Sequence, residues 1–396
     1  MSAIDMRLLF LTSRLPYPPN RGDRLRVFNF IRTLAGEHQI DLISFIADAD
    51  ERKNIDNLKP YCRKVQVVPL SAAQSALSTG LNTWRPQPLQ VSYYRSAAMQ
   101  ALVDRTLSET RFDAVYVHLF RMAPYLLAYS HLYRIVDLTD VISQELIRSM
   151  PYRGMLSKAI YALEHPRIER YERWVANHFD ESWLISEHDR SVLAETCPQA
   201  NLQVIRNGVD TESLYPTGES EIPASLLFVG HMGVFHNVDA ASFLVQEILP
   251  RVCAEIPEVS VRLVGADPAP KVQSLASIQG VEVSGFVPDL NAVLNQAAVF
   301  VAPLRFAAGV QNKVLEAMAA GRPIVTTGLV NQGLSAQPDR DLLIADTPDE
   351  IAAAIRMLLR DPNFCKRLGS SARQFVQTNY RWDFVAERMQ VIQETL

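Results

Sequence analysis

The stretch AAGVQNKVLEAMAAGRPIVTT (residues 307–327) combines a loop, a helix and a strand. It opens in small residues around Gly309, continues as an apolar and alanine-rich helix, and breaks at Gly-Arg-Pro before a β-branched run. A short apolar strand that follows a helix is typical of a parallel sheet covered on both faces. The stretch therefore predicts an α/β fold, but a Gln-Asn-Lys triplet and Glu316 lie in a segment otherwise suited to close packing.

Two other segments are predicted to be first strands. RLLFLTSRLP (7–16) and SLLFVGHMGVF (225–235) are apolar runs that end in turn-forming loops. After each, strand candidates alternate with helical stretches, which predicts two doubly wound, Rossmann-like parallel sheets facing a cleft. The candidate strands lie near residues 39–46, 64–68, 113–118, 134–136, 181–185 and 202–205, and then near 259–265, 280–285, 298–303, 323–327 and 342–345.

The chain has 396 residues, a length that favours two domains. Residues 206–223 are rich in turn formers and charges, so we expect an N-terminal domain over 1–205, this linker, and a C-terminal domain over 224–378. A break near residue 379 predicts that the last helix, within 379–396, crosses back onto the N-terminal domain.

Composition limits the class of partner and compartment. A net charge of −4 argues against nucleic acid. The N-terminus has no signal-peptide pattern, and no run reaches the ~18 apolar residues of a membrane span, so we expect a cytoplasmic protein whose membrane contact, if any, is peripheral. No CxxC spacing suggests a zinc site or a disulfide framework among Cys62, Cys197, Cys253 and Cys365.

The loop within 307–327 is predicted to bind an anion. Gly309 lets the backbone approach a ligand closely. The helix is expected to start near Val310 or Gln311, and its first N–H groups would carry positive dipole character. This arrangement suits a diphosphate.

Glu316 is expected to share a helix face with Asn312 and Lys313, because it follows them by four and three residues. A carboxylate there can accept hydrogen bonds from two adjacent hydroxyls, such as those of a ribose. The alternative is a surface Lys313–Glu316 pair worth only ~0.2–0.5 kcal/mol.

Five collinear segments resemble the donor-binding half of GT-B retaining glycosyltransferases of family 4. More narrowly, the chain resembles the bacterial sugar transferases of exopolysaccharide and exosortase systems, and PYPPNRGDRLRVFNF (16–30) is similar to the opening loop of that group. The five segments are FVGHMGVFHNVDAASF (228–243), ILPRV (248–252), VRLVGADP (261–268), VEVSGFVPDL (281–290) and VFVAPLRFAAGVQNKVLEAMAAGRPIVTT (299–327).

The resemblance implies a nucleotide-diphospho-sugar donor, such as a UDP- or GDP-sugar, bound in the cleft without a further cofactor. It places the base against the backbone of Gly285, Phe286 and Val287, and the diphosphate at the amides of Gly309 and Val310. The ribose diol would be held by the glutamate described above.

The sequence departs from the family pattern at two places. Many members carry a second glutamate eight residues before the ribose-binding one, where this chain has Ala308. Members also often place Arg and Lys after the first strand of this half, so Arg305 and, more strongly, Lys313 are the expected phosphate-binding cations here. The matching stretch instead holds His231, His236 and Asn237.

The loop after the first strand is expected to serve the same cleft. In the family its glycine, here Gly22, approaches the donor phosphate or the acceptor, and Arg24 is a further donor-binding candidate. Asp23 is instead predicted to be the N-cap of the next helix, a role worth ~1 kcal/mol.

His118 ends the apolar strand AVYVH, and Asp137 and Asp140 follow the next strand. In the family a histidine at the corresponding strand end points into the cleft beside the transferred sugar, where it could contact the sugar or assist proton movement. The two aspartates are expected to bind the acceptor, although helix capping would explain Asp140 equally well.

Residues 148–175 mix apolar and aromatic side chains with arginine, lysine and glutamate. Such a stretch could lie on an anionic membrane surface near a lipid-linked acceptor. It could equally be an ordinary pair of solvent-facing helices.

The resulting hypothesis is a metal-independent, retaining glycosyltransferase that moves a sugar to a hydroxyl of a saccharide, lipid-linked or other acceptor, in exopolysaccharide, glycolipid or other glycoconjugate synthesis. His118, Lys313 and Glu316 are the expected catalytic residues. No DxD pair lies at a suitable strand end, so side-chain cations and a helix N-terminus would stabilise the departing diphosphate.

Two alternatives stay open. A nucleotide-sugar 2-epimerase of the same fold would bind the same donor, and the substitutions at the family positions would also suit a catalytically weak donor-binding partner subunit. An NAD-dependent dehydrogenase is disfavoured, because neither first-strand loop contains GxGxxG.

Overall fold

A computed structural model describes residues 5–218, 220–307 and 309–396. The chain forms two compact units. The first runs to Arg206 and is completed by Trp382–Leu396, and the second is Asn207–Arg381. Position 308, where the family glutamate is expected, lies outside the described residues.

The first unit is built on a seven-stranded parallel sheet. Its strand order is β3-β2-β1-β4-β5-β6-β7, so the chain reverses direction across the sheet between β1 and β4. The strands are β1 (Arg7–Thr12), β2 (Gln39–Ile46), β3 (Lys64–Pro69), β4 (Ala114–His118), β5 (Tyr133–Thr139), β6 (Glu181–Leu184) and β7 (Leu202–Val204).

Helices cover both faces of this sheet. A 3-10 helix, Phe120–Leu126, follows β4. The α-helices before the second unit are α1 (Gly22–Leu34), α2 (Ala72–Leu81), α3 (Leu89–Tyr93), α4 (Ala97–Glu109), α5 (Ile142–Ser149), α6 (Met155–Ala176) and α7 (Glu187–Thr196).

Alternation along the strands creates two cores. Leu9 and Leu11 of β1 face the core that also holds side chains of α3, α4 and α6. Leu8 and Phe10 face the opposite core, beside α1. Since successive strand residues point to opposite faces, a strand that is buried on both sides must be apolar throughout, as the sequence RLLFLT nearly is.

The second unit carries a six-stranded parallel sheet of order β10-β9-β8-β11-β12-β13, which reverses between β8 and β11. Its strands are β8 (Ser225–Val229), β9 (Ser260–Val264), β10 (Val281–Ser284), β11 (Val299–Ala302), β12 (Ile324–Thr326) and β13 (Leu343–Ile344). Its helices are α8 (Phe235–Phe243), α9 (Leu249–Cys253), α10 (Pro270–Gln273), α11 (Leu290–Asn295), α12 (Asn312–Ala319), α13 (Gly328–Leu334), α14 (Pro348–Arg360) and α15 (Pro362–Asn379).

The final helix, α16 (Phe384–Thr395), belongs to the first unit. Val385, Met389 and Ile392 are buried in the core beside α1. The ring centroids of Phe30 and Trp382 lie 6.2 Å apart. The last residues of the chain therefore complete the core whose first strand is β1.

The predicted fold class is confirmed: both units are Rossmann-like α/β domains with parallel sheets, and every candidate strand coincides with an observed strand. The segment expected to be a linker differs from the prediction. Residues 207–218 and 220–223 pack within the second unit. There the Val209 amide donates to the Tyr380 carbonyl at 3.0 Å, and the Tyr215 amide donates to Asn291 Oδ1 at 3.0 Å. The turn formers in this segment satisfy backbone groups on the surface of a domain.

Candidate functional site

The loop after β8 brings two backbone segments into direct contact. Gly265, at the end of β9, has φ +149°, and a Cβ at this position would lie 1.7 Å from the Gly230 carbonyl oxygen. A Cβ on Gly230 would in turn lie 2.9 Å from the Asn237 amide group. Gly265 therefore requires glycine, and a side chain at Gly230 would displace the Asn237 amide group, so the loop is held tightly at the carboxyl end of the sheet.

Asn237 organises the first turn of α8. Its side chain is only 3% exposed, and its Nδ2 donates to the His231 carbonyl at 3.0 Å. Its Oδ1 accepts a hydrogen bond from the Lys313 ammonium group. Asn237 thus links the loop after β8 to α12, across the point where the strand order reverses.

Lys313 lies in a recess of the second unit. Its Nζ is 5.2 Å from the centroid of the Phe228 ring. Burial lowers the pKa of Lys313 to about 7, although the nearby Glu316 carboxylate acts in the opposite direction. Lys313 can therefore gain or lose a proton close to neutral pH.

Burial also raises the pKa of Glu316, and the Lys313 ammonium group opposes this rise. Both side chains lie in the first two turns of α12. They are not a solvent-exposed ion pair, so the surface-pair alternative does not describe this site. A ligand with an anionic group and hydroxyl donors would satisfy both residues.

The turn before α12 is pressed against α13. Gly309 has φ +51°, and a Cβ on Gly333 would lie 2.5 Å from the Gly309 carbonyl oxygen. Val310 and Gln311 are buried, and Gln311 is the N-cap of α12 without a side-chain cap bond. Asn312, the first residue of the helix, accepts from Asn207 Nδ2 at 3.0 Å.

Two other candidates of the second unit have different surroundings. His231 Nε2 lies 3.1 Å from Asp267 Oδ2. The guanidinium group of Arg305 donates to Asp239, with Nε at 2.9 Å from Oδ2, so its charge is already paired. Lys313 is therefore the better placed of the two expected phosphate-binding cations.

The segment Gly285–Val287 follows the edge strand β10. The Phe286 side chain is 76% exposed, and a Cβ on Gly285 would meet nothing within 4 Å. The backbone of this segment is therefore open to a ligand. Its role in binding a base stays a prediction.

In the first unit His118 ends β4 beside the reversal of strand order. It is 3% exposed, and its Nε2 has no hydrogen-bond partner among the residues that the structure describes. Burial lowers the pKa of His118 to about 4, while the Asp137 and Asp23 carboxylates oppose the shift. The imidazole is therefore neutral at pH 7, with a nitrogen available to a hydroxyl.

Asp137 differs from the expectation that it binds an acceptor. Its carboxylate is fully buried and receives hydrogen bonds from Arg26 Nε at 2.6 Å, the Tyr116 hydroxyl at 2.5 Å and the Thr139 amide at 2.9 Å. The Arg26 guanidinium group favours the ionised carboxylate, whose pKa is lowered despite its burial. Because these partners use its acceptor capacity, we assign Asp137 a structural role.

Asp140 retains the features of a ligand-binding carboxyl group. Its Oδ1 is buried without a hydrogen-bond partner within the described part of the chain. Burial raises the pKa of Asp140 well above its usual value, and the neighbouring Asp189 and Glu145 carboxylates add to this effect. Helix capping does not explain Asp140, because the N-cap residue of α5 is Val141.

The start of α1 also differs from the prediction. Asp23 is not the N-cap, because the helix begins at Gly22 with Arg21 as the cap residue and no side-chain cap bond. Asp23 lies in the first turn and accepts from Arg14 at 2.7 Å, while Arg24 pairs with Glu51 at 2.5 Å. The helix therefore begins two residues earlier than capping by Asp23 would require.

Sequence reasoning missed Arg121, which follows β4 by three residues. Its Nε donates to Ser13 Oγ at 3.1 Å, and its NH1 donates to Gln90 Oε1 at 3.1 Å. It thereby connects the ends of β1 and β4. An arginine shortly after a strand-end histidine was the available signal, in HLFR.

Two other kinds of feature are absent from the described ranges. No group of three or more His, Cys, Asp or Glu side chains is arranged to hold a metal ion. No helix there has the length and hydropathy to cross a membrane.

Residues 223–361 match the family described as "Glycosyl transferases group 1". This match lies within the second unit. The matched range includes both glycine-dependent loops, Asn237, Lys313 and Glu316.

Two relatives extend the match. An "Uncharacterized 44.6 kDa protein in cps region" of Klebsiella pneumoniae is 21% identical over 388 residues, which cover 94% of this chain and 96% of that protein. The alpha-maltose-1-phosphate synthase of Mycobacterium tuberculosis is 30% identical over 217 residues, or 47% of this chain. The match spans 55%, about half, of that synthase.

Among solved structures, HepE of Anabaena in complex with UDP matches with a TM-score of 0.69 and 14% identity, over 99% of this chain and 100% of that one. HepE has also been solved with UDP-glucose. At this identity the likeness shows the fold alone, and the fold of this chain is GT-B.

Proposed function

We propose that this protein is a retaining glycosyltransferase that moves a sugar from a nucleotide-diphospho-sugar to an acceptor hydroxyl. The observation that carries the proposal is the Asn237–Lys313 contact beside Glu316, at the point where the second sheet reverses its strand order. Ligands of open α/β sheets bind outside the carboxyl ends of the strands at such points.

The diphosphate is assigned to Lys313 and the amides of the Gly309–Gln311 turn. Lys313 is a partly buried cation whose charged form is disfavoured in the free protein. An anion beside it would restore the charge, and the first N–H groups of α12 would add their positive dipole. UDP or GDP supplies the required anion, and the complex of HepE with UDP supports this class of ligand.

The ribose is assigned to Glu316, which lies one helical turn beyond Lys313 and so on the same face of α12. The carboxylate would accept hydrogen bonds from the 2′- and 3′-hydroxyls. The base would lie against the exposed backbone of Gly285–Val287. Arg24 and Arg305 are paired with acidic side chains, so we give them no primary role in holding the donor.

The chemical step is proposed to retain the anomeric configuration. The bond between the anomeric carbon and the diphosphate oxygen breaks, and the acceptor oxygen bonds to that carbon on the same face. The acceptor proton passes to the leaving phosphate oxygen. Charged Lys313 and the α12 N-terminus stabilise the developing negative charge, a role that needs no metal ion.

On the acceptor side, neutral His118 and Asp140 are proposed to contact hydroxyl groups. His118 offers Nε2 as an acceptor, and Asp140 has an unpartnered oxygen. Gly22 presents only backbone at the start of α1. The likeness to a protein of a cps region supports a role in polysaccharide synthesis, and we propose that this role is carried out at the cytoplasmic face of the membrane.

A thermal-shift screen of nucleoside diphosphates tests the donor site. UDP or GDP at 100 times its Kd should add about 2.7 kcal/mol to the free energy of unfolding. The Glu316→Ala variant should lose most of this gain, whereas Glu258→Ala, an exposed glutamate of the same unit, should keep it. An equal gain in Glu316→Ala and wild type would contradict the ribose assignment.

Product analysis separates the transferase from its alternatives. With a nucleotide-sugar alone, we expect slow hydrolysis to free sugar and nucleoside diphosphate. Epimerised nucleotide-sugar would instead identify a 2-epimerase. Tight donor binding with neither hydrolysis nor transfer to any acceptor would identify a non-catalytic partner subunit.

A further inference from the structure

A cavity of about 660 Å³ lies within the first unit, between α3, α6 and the 3-10 helix that follows β4. Its wall is largely apolar and is dominated by four aromatic side chains. This volume falls in the range of small-molecule sites, roughly 300–1,000 Å³. The aromatic residues are Tyr94, Tyr125, Tyr171 and Trp174.

Four arginines share this cavity, and the residues that line it include no aspartate or glutamate. Within the described part of the chain, neither the Arg95 nor the Arg170 guanidinium group has an acidic partner. Arg167 is bound to Glu164 at 3.0 Å. Arg121 lies 4.9 Å from the centroid of the Tyr94 ring and donates to neutral groups. The cavity therefore carries an uncompensated positive charge beside an apolar wall, which suits an anion with an apolar portion.

The cavity adjoins the carboxyl end of the sheet. Arg121 lines it and also donates to Ser13 Oγ, immediately after β1. The same guanidinium group is close enough to His118 to help lower the histidine's pKa. An anion held by Arg121 would thus lie beside the strand ends where we place the acceptor.

The cavity-lining face of α6 continues toward the helix N-terminus as an exposed apolar stripe. Leu156, Ile160 and Leu163 are 77%, 45% and 50% exposed. They precede Arg167 at intervals of three and four residues, which keeps them on its face of the helix. Arg167 NH2 also donates to the Thr83 carbonyl at 2.7 Å, which places the exposed Trp84 beside this face.

We propose that this cavity binds the phosphate or diphosphate ester of a long-chain alcohol, with the anion on Arg95, Arg121 and Arg170 and the hydrocarbon chain along the α6 stripe. The positive charge of the cavity favours an anionic ligand. Because the cavity continues into the apolar stripe of α6, it also favours a hydrocarbon chain that is longer than the cavity. This inference rests on the proposed function, in which the compound is the anchor of the acceptor.

Trp174 fluorescence gives a direct measure of binding, without turnover. In a Trp84→Phe background, farnesyl diphosphate should change the emission, and Trp174→Phe should abolish that change. Farnesol and inorganic diphosphate should each bind at least about tenfold more weakly, because each lacks one half of the recognition. Farnesol binding equal to that of the diphosphate would overturn the role of the arginines, and equal binding of inorganic diphosphate would overturn the role of the apolar wall.

Charge variants test the anion site. Arg95→Gln with Arg170→Gln should weaken farnesyl diphosphate binding about tenfold or more. Lys158→Gln is the matched control, because Lys158 is exposed and lies about two and a half turns from Arg167, on the opposite face of α6. If the double arginine variant and Lys158→Gln lost equal affinity for farnesyl diphosphate, the attraction would be non-specific and the proposed site would be overturned.

Chain length tests the stripe. Geranylgeranyl diphosphate should bind more tightly than geranyl diphosphate, and Ile160→Gln with Leu163→Gln should remove most of this difference. An undiminished difference would overturn the path proposed for the chain.

The donor site gives an independent readout. The Arg95→Gln and Arg170→Gln protein should keep the thermal shift caused by UDP or GDP. Donor binding without farnesyl diphosphate binding in the wild type would overturn this inference and leave the proposed function intact. The reverse result would overturn the proposed function and leave the cavity as an amphiphile site.

Discussion

At the residue scale, burial determines the charge of the two central bases. Lys313 has a pKa lowered to about 7, and His118 has one lowered to about 4, in each case chiefly because the charged form loses hydration. The consequences differ. Lys313 can be recharged by an anionic ligand near neutral pH, whereas His118 stays neutral and serves as a hydrogen-bond acceptor.

Diphosphate binding should therefore take up a proton on Lys313. The free side chain loses its proton as the pH rises through about 7, and the diphosphate favours the charged form. The affinity for UDP or GDP should fall above pH 7, by up to about tenfold per pH unit, until the pH reaches the higher pKa in the complex.

Calorimetry at pH 8 in buffers of different ionisation enthalpy measures this uptake. We expect close to one proton per ligand in the wild type and close to none in Lys313→Gln. Lys366→Gln, on α15, should behave like the wild type. No uptake in the wild type would show that Lys313 does not meet the diphosphate.

The Arg26–Asp137 pair should be essential to the first unit. Both side chains are fully buried, and Arg26 also donates to the Ile205 carbonyl at 2.8 Å. Arg26→Leu would leave an uncompensated buried carboxylate and should cost about 3–5 kcal/mol of stability in urea unfolding. Arg26→Leu combined with Asp137→Asn should cost less than Arg26→Leu alone. If the double variant is the less stable protein, the carboxylate is not the source of the cost.

At the element scale, the donor site depends on how closely its loops approach. The turn before α12 rests on α13 at Gly333, and the loop after β8 rests on the end of β9 at Gly265. Neither contact leaves space for a side chain. The elements are thus fixed by backbone contact, and the functional side chains extend from a rigid frame.

Gly333→Ala should displace the Gly309 turn, because the added Cβ would lie 2.5 Å from a backbone oxygen. We expect a loss of about 1–3 kcal/mol in stability and weaker binding of UDP or GDP. Alanine is otherwise favoured in helices, so Gly80→Ala in α2, where nothing lies within 4 Å, should be neutral or stabilising. Unchanged donor affinity in Gly333→Ala would show that the turn does not touch the ligand.

The sequence predicts elements better than it predicts contacts. Apolar runs such as SLLFV mark the strands because strands buried on both faces are largely apolar. The grouping of Lys313 with Glu316 follows from helix periodicity alone. The Asn237–Lys313 contact does not, because it joins two helices whose residues lie 76 positions apart along the chain.

Other features could not be predicted from the sequence for similar reasons. Asp137 and Asp140 look alike in sequence. Only the tertiary structure shows that Arg26 and Tyr116 donate to Asp137, whereas Asp140 Oδ1 has no hydrogen-bond partner among the described residues. The four arginines of the cavity come from three separate stretches of chain, none of which has a motif.

At the scale of the whole molecule, the chain passes from the first unit to the second after Arg206 and returns after Arg381. The returning segment supplies buried apolar side chains from α16 and an ion pair between Arg388 and Glu181 of β6. The first unit is therefore built from two distant parts of the sequence.

Removal of residues 382–396 should destabilise the first unit and spare the donor site. Loss of Val385, Met389 and Ile392 would expose the core beside α1, and unfolding monitored at Trp183 should shift to lower urea concentration. Calorimetric binding of UDP or GDP, assigned to the second unit, should be retained. Wild-type stability in the shortened protein would contradict the role of α16.

The same return of the chain sets an order of events during synthesis. The ribosome makes β1 first, but the helix that completes its core emerges only after all of residues 207–381. At about 5–20 residues per second, this is a delay of roughly 10–35 s. Throughout that interval the core beside α1 lacks the side chains of α16, so the nascent first unit exposes apolar surface until the end of residues 207–381 has been made.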